Sequence, residues 1–201
     1  MAKKRLTKKQ RARRILKLRI LVLASLAAIT ALVVLIVKSA GYDLINENDP
    51  VATIRLKNGD KVIVELYPDK APGTVANFIS LANAGFYDGQ ALSLSEDASY
   101  LRAGGDAGYD IRGEFALNGF ENDVKHERGV LSMARLTLYD SASGSFFLCL
   151  KDMPYIDGAY AAFGRVVKGL DSLDKGQPVI ESIRVDAKAF AGSFEKLARE
   201  P

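Results

Sequence analysis

The chain has one cysteine, Cys149, and one histidine, His126, in 201 residues. A single thiol cannot form an internal disulfide, and one thiol with one imidazole makes no Cys/His metal cluster, so no metal is expected; no serine or carboxylate motif accompanies His126 to make a catalytic set. Cys149 lies in the apolar run FFLCL, which marks it as a core thiol rather than a nucleophile or ligand. Repeats and low-complexity tracts are absent. Acidic residues are missing from the first forty positions, which carry 11 Lys and Arg and leave 17 basic against 24 acidic residues from Gly41 onward. The net charge of +4 therefore joins a basic start to an acidic remainder. It does not describe a basic globular surface, and no nucleic-acid partner is expected.

Charge is missing altogether from Ile20 to Val37, an 18-residue run whose only hydroxyls are Ser25 and Thr30. As a helix it would span roughly 27 Å, close to the hydrocarbon thickness of about 30 Å. A core helix would carry a polar side, so the expectation is a transmembrane signal-anchor over 20–38. The basic segment 1–19 then lies in the cytoplasm and the remainder outside. A secretory signal cleaved near Ser39 and Ala40 is the alternative, although its apolar region is usually shorter. The chain is thus expected to be a single-pass membrane protein with an extracytoplasmic C-terminal domain.

Residues 39–50 are polar and read as a linker. Val51–Leu56 and Lys61–Tyr67 flank Asn58-Gly59, which predicts an opening hairpin. Thr74, after Pro72 and Gly73, is placed to cap a helix that buries Val75, Phe78, Ile79 and Ala82 and ends at Gly85. Short strands are predicted at Ile111–Phe115, Val130–Ala134, Phe146–Leu150, Ala161–Val167 and Val179–Val185, with a second short helix around Leu170–Lys175. Many short strands and two helices point to a mainly β, closed antiparallel barrel over 51–186. The tail, 187–201, has Phe190, Phe194 and Leu197 at helical spacing, which predicts a short amphipathic helix packed back on the barrel, with contact to the membrane surface as the other reading.

The strongest pattern is Arg128–Arg135, RGVLSMAR, followed twelve residues after Met133 by SFFLCL and then by DGAYAAFGRVVKGLD. With GFYDG at Gly85–Gly89, GGD at Gly104–Asp106 and KHERG around His126, this order resembles the cyclophilins, the peptidyl-prolyl cis-trans isomerases. The resemblance implies an eight-stranded barrel capped by two helices, binding of proline-containing polypeptides and no cofactor. It gives His126 a scaffold position. It also implies an apolar cup for proline, with Phe147 as its floor, Tyr155 and Ile156 beside it, Tyr160 in place of a pocket histidine, Tyr100 and Leu101 from the preceding segment, and Ala134 in the adjacent groove.

Between GFYDG and GGD the chain leaves the family's pattern. Aligned from Gly89, the family's catalytic arginine position holds Leu94; aligned back from GGD, its glutamine position holds Ala103. One extra residue lies between the two anchors, and a shift of register offers only Ser93 or Ser95. Strand alternation counted from Ala103 turns Arg102 away from the cup, so Arg102 replaces the donor only if a bulge turns it inward. These substitutions imply an isomerase with weakened catalysis acting on X–Pro bonds of exported proteins, or a non-catalytic module of the same fold that binds proline peptides or a partner.

Overall fold

Asn58 and Gly59 turn the chain between the first two strands of the domain. Gly59 has φ +90°, and Asn58 Oδ1 accepts the Asp60 amide at 3.0 Å, so β1 (Val51–Leu56) folds directly onto β2 (Lys61–Leu66). The computed structural model describes residues 17, 19–25, 28, 29, 32, 49–187 and 192–198. The chain divides into two units, Met1–Leu44 and Ile45–Pro201. In the first, the described residues are helical and exposed. Among the described residues no helix is long and apolar enough to cross a membrane. Most of the anchor expected over 20–38, with nearly all of segment 1–19 and linker 39–50, lies outside them.

The second unit is mainly β. After β2 come α1 (Pro72–Asn83), β3 (Ser93–Leu94), β4 (Tyr100–Ala103), β5 (Val130–Met133), β6 (Phe146–Cys149), β7 (Ala161–Lys168) and β8 (Ile180–Asp186). All pairings are antiparallel, in the order β3-β4-β6-β5-β7-β2-β1-β8. The sheet curls instead of closing with a full ladder. Its ends meet just before β3 and β8, through the bridge Ala91↔Val179 and the bonds Leu92 N to Pro178 O, 2.9 Å, and Ile180 N to Gln90 O, 2.8 Å.

Inside the curl, Phe78 of α1 lies 5.4 Å from Phe146 and 5.2 Å from Phe163, ring to ring. Burial of such rings is the main stabilising contribution here. β5 and β6 are buried on both faces, because a second apolar cluster of Val130, Phe147, Cys149, Met153 and Ala162 covers their outer side. Alternation splits the Phe-Phe pair: Phe146 faces the inner core and Phe147 the outer cluster.

Three expectations about single elements are corrected. The residue before α1 is Ala71, with Pro72 opening the helix. Its free amides are met by Glu114, whose carboxylate accepts Gly73 N at 2.9 Å and Thr74 N at 2.7 Å; an anion suits that end of a helix. Ile111–Phe115 is not a strand and contributes only the bridge Ile111↔Ala142. The second short helix is present where expected, as a 3-10 helix over Leu170–Leu173. Residues 192–198 of the expected tail helix are not helical, and Leu197 bridges Asp110; the rest of that helix, Phe190 included, lies outside the described residues.

Candidate functional site

The outer cluster opens into a cup. Phe147 is 6% exposed and forms its floor, with Tyr100 at 5.4 Å and Tyr160 at 5.7 Å between ring centroids, the latter edge-on. Ala134 and Ile156 complete the apolar wall. The ring of Tyr155 stands 73% exposed at the rim, on the 3-10 turn Pro154–Ile156. The cavity holds about 260 Å³, small enough for one compact apolar group.

Arg102 and Arg135 bring charge to this apolar cup. In the β4–β6 ladder Tyr100 pairs with Cys149 and Arg102 with Phe147, without a register shift. Residues directly opposite in an antiparallel pair share a face, so Arg102 stands on the cup side. No bulge is needed. Leu101 and Ala103 point the other way, into the inner core at 0% and 5% exposure. Leu101 is therefore not a cup residue, and Ala103 does not occupy a reaction-centre position. Leu94 pairs with Leu101 and Ser93 with Arg102, so on β3 the side chain sharing Arg102's face is that of Ser93.

The turn joining β3 to β4 holds this register. Ser95 Oγ accepts the amides of Ser99, at 2.9 Å, and Tyr100, at 3.1 Å, and Asp97 accepts both serine hydroxyls. At the other end of β4, Gly104 N donates to Gln90 Oε1 at 2.8 Å, while Gln90 Nε2 donates to Phe86 O at 2.6 Å. The GFYDG and GGD motifs thus fasten the strand that carries Arg102. Asp88 of GFYDG is clamped by Arg184 at 2.6 Å, and that guanidinium holds its carboxyl below the usual range.

The two arginines differ in freedom. Arg135 lies over the rings of Tyr160, Phe115 and Tyr139 at 4.8, 5.2 and 5.2 Å, and donates to the carbonyls of Ala159, Leu136 and Thr137. It is a fixed strut. Arg102 is exposed and makes one long contact, 3.4 Å to Ser145 Oγ. Its guanidinium remains available as a donor at the mouth of the cup. Arg135 and Met153 were not anticipated: alternation along β5 groups Arg135 with Leu131 and Met133 of the inner core and not with Ala134 of the cup, and nothing in sequence marks Met153.

Beneath the floor, His126 stacks on Phe147 at 6.1 Å and 14°. Its Nε2 is 2.9 Å from Ser132 Oγ and its Nδ1 3.1 Å from Asp157 Oδ1. A serine and a carboxylate do accompany the histidine, contrary to the sequence reading. With Ser132 at 0% and His126 at 2% exposure, however, the group supports the floor and meets no substrate. Burial pushes the His126 pKa down more than Asp157 pulls it up. Although burial opposes ionisation of Asp157, the bonds from His126 keep its pKa lowered. The unfolded chain therefore binds the additional proton first. Stability from neutral His126 is fully present above its ordinary value near 6.5 and is lost as pH falls below it, by up to about 1.4 kcal/mol per unit. Urea unfolding from pH 7.5 to 5 checks this: His126→Gln is expected to flatten the acid loss, and an unchanged slope would refute it.

A family model described as cyclophilin type peptidyl-prolyl cis-trans isomerase/CLD matches residues 51–189. Peptidyl-prolyl cis-trans isomerase B of Bacillus subtilis is 36% identical over 141 residues, covering 65% of this chain and 94% of that protein. A peptidyl-prolyl cis-trans isomerase of Helicobacter pylori is 35% identical, covering 66% and 84%. Among solved structures, a Cryptosporidium parvum cyclophilin type peptidyl-prolyl cis-trans isomerase, crystallised in the presence of the dipeptide Ala-Pro, matches with a TM-score of 0.58 at 20% identity, covering 67% of this chain and 98% of that one. At that identity the match speaks for the fold alone.

Proposed function

The chain belongs to the cyclophilin-type peptidyl-prolyl cis-trans isomerases, and from that premise we propose that it rotates X–Pro bonds in unfolded polypeptides, with Arg102 as its donor. The observation that carries this is the pairing of Arg102 with Phe147, which sets a guanidinium beside an apolar floor. The relatives' names add the reaction, and the Ala-Pro dipeptide named with the Cryptosporidium structure adds the class of ligand.

Rotation about an X–Pro amide faces a barrier of about 18 to 20 kcal/mol because conjugation must be broken. No covalent bond is cleaved, so the reaction calls for neither nucleophile nor cofactor. The proline ring enters the cup on Phe147, between Tyr100 and Tyr160. As the amide twists, its nitrogen regains a lone pair, and Arg102 donates a hydrogen bond to it. That bond forms only in the twisted state, which is where a catalyst must bind more tightly. With Ala103 turned into the inner core and Leu94 paired with Leu101, Arg102 works without a second polar group from either, and a reduced rate is expected.

The same proposal places the domain outside the membrane on exported proteins, held by the apolar segment 20–38 and oriented by the basic residues before it. The test uses the full chain recovered from membranes in mild detergent. Exchange of a short Ala-Pro peptide measured by NMR is expected to be accelerated. Peptide binding without acceleration would replace this reading by the non-catalytic module of the same fold.

A further inference from the structure

Three aromatic rings surround the Arg135 guanidinium, and they come from three separate stretches of chain: Phe115, Tyr139 and Tyr160. Two of them are fixed without it. Phe115 and Tyr139 meet edge-on at 5.4 Å. Their backbones are joined by Asp140, whose Oδ1 accepts Gly113 N at 2.9 Å and Asn118 Nδ2 at 2.7 Å, while Asn118 Nδ2 also donates to Gly113 O at 2.7 Å.

Tyr160 is held differently. It is half-buried, and among the described residues nothing hydrogen-bonds its hydroxyl. The ring rests on its edge-on contact with Phe147, 5.7 Å between centroids, and on the guanidinium 4.8 Å from its own centroid. Arg135 Nε also donates to the carbonyl of Ala159 at 3.1 Å. One side chain therefore fixes both the backbone leading into Tyr160 and the lie of its ring.

That ring is a wall of the proline cup. A ring free to swing about its side-chain torsions has to be ordered when proline enters, and a ring already in place avoids that cost. A cation over an aromatic face is worth a factor of about two to thirty, more as the pair is desolvated. Resting on the reading above, we propose that Arg135 is a positioning residue of the cup: braced on Phe115 and Tyr139, it holds the Tyr160 ring edge-on to Phe147 before the peptide arrives. Arg102 serves the twisted amide and Arg135 the ring that receives proline, so the two arginines act on different constants.

Exchange and binding of an Ala-Pro peptide, both read by NMR on the full chain in mild detergent, test this. Arg135→Gln is expected to raise KM and the dissociation constant about ten-fold, with kcat kept within about two-fold. Arg135→Lys keeps a cation but loses the planar fork, so its effect should be smaller and in the same direction. In a Tyr160→Leu background Arg135→Gln should add little, because the ring it positions is gone. In protein labelled with 13C-tyrosine, the ring signals that disappear in Tyr160→Leu are expected to shift in Arg135→Lys. Equal losses with and without Tyr160, or a fall in kcat in place of the rise in KM, would overturn the proposal, and the second result would put Arg135 on the substrate itself. Arg135→Lys carries the same cycle if Arg135→Gln does not fold. If the unaltered protein binds the peptide without accelerating exchange, the catalytic reading of Arg102 fails, and the dissociation constants still judge Arg135.

Discussion

Replacing Arg102 with alanine is expected to slow X–Pro isomerisation roughly ten- to hundred-fold. A hydrogen bond from a charged donor contributes about 1.5 to 3 kcal/mol, and a bond formed only in the twisted state converts directly into rate. The loss should fall on kcat, because the ground-state peptide is held by Phe147, Tyr100 and Tyr160. Stability should change little, since Arg102 is exposed and its contact to Ser145 is 3.4 Å long. Arg102→Lys keeps the charge and loses the planar fork, so it should retain part of the rate. Ser93 pairs with Arg102, and Ser93→Arg in the Arg102→Ala background is expected to recover activity. NMR exchange with an Ala-Pro peptide reads all four proteins. An Arg102→Ala protein with unchanged kcat would remove Arg102 from the mechanism.

Gly104→Ala should be the most damaging single methyl group in the domain. Gly104 has φ +95°, and a Cβ there would lie 2.1 Å from Gly144 O and 2.8 Å from Ser145 Cα. Both neighbours are backbone, so no side chain can turn aside. Left-handed backbone costs a non-glycine residue about 1 to 2 kcal/mol, and overpacking adds about 1 to 3 kcal/mol. A loss of about 2 to 5 kcal/mol is expected in urea unfolding. Gly105→Ala is the contrast: a Cβ there meets nothing within 4 Å, and its cost should be much smaller. Equal losses would show that the close approach of β4 to Gly144 does not govern this position.

How far the sequence revealed these features depends on how local their causes are. The opening hairpin was legible because Asn58 and Gly59 determine it within four residues. The Phe-Phe strand was legible because alternation must send one ring inward and one outward. Helix α1 was legible, but not its cap: the carboxylate of Glu114 arrives from 40 residues away, and proximity in sequence favoured Thr74. The face of β4 was misjudged for a related reason. Tyr100 and Arg102 alternate with Leu101 and Ala103, and each set contains an apolar residue, so periodicity does not choose between them. The Ser95, Asp97 and Ser99 turn chooses. In the tail, Phe194 and Leu197 fit helical spacing, yet Tyr109 and Asp110 offer a ring and a backbone edge that an extended segment satisfies.

The pairing of β1 with β8, from Val51↔Asp186 to Leu56↔Ile180, joins the first strand of the domain to its last. A chain emerging from its N-terminus can zip β1 to β2 at once, but the far side of β1 keeps a row of unpaired amides and carbonyls until residue 186 is available. Such an edge templates association with other chains, and contacts this distant in sequence form slowly. Until residue 186 has been made, the nascent domain therefore carries an open strand edge in need of protection.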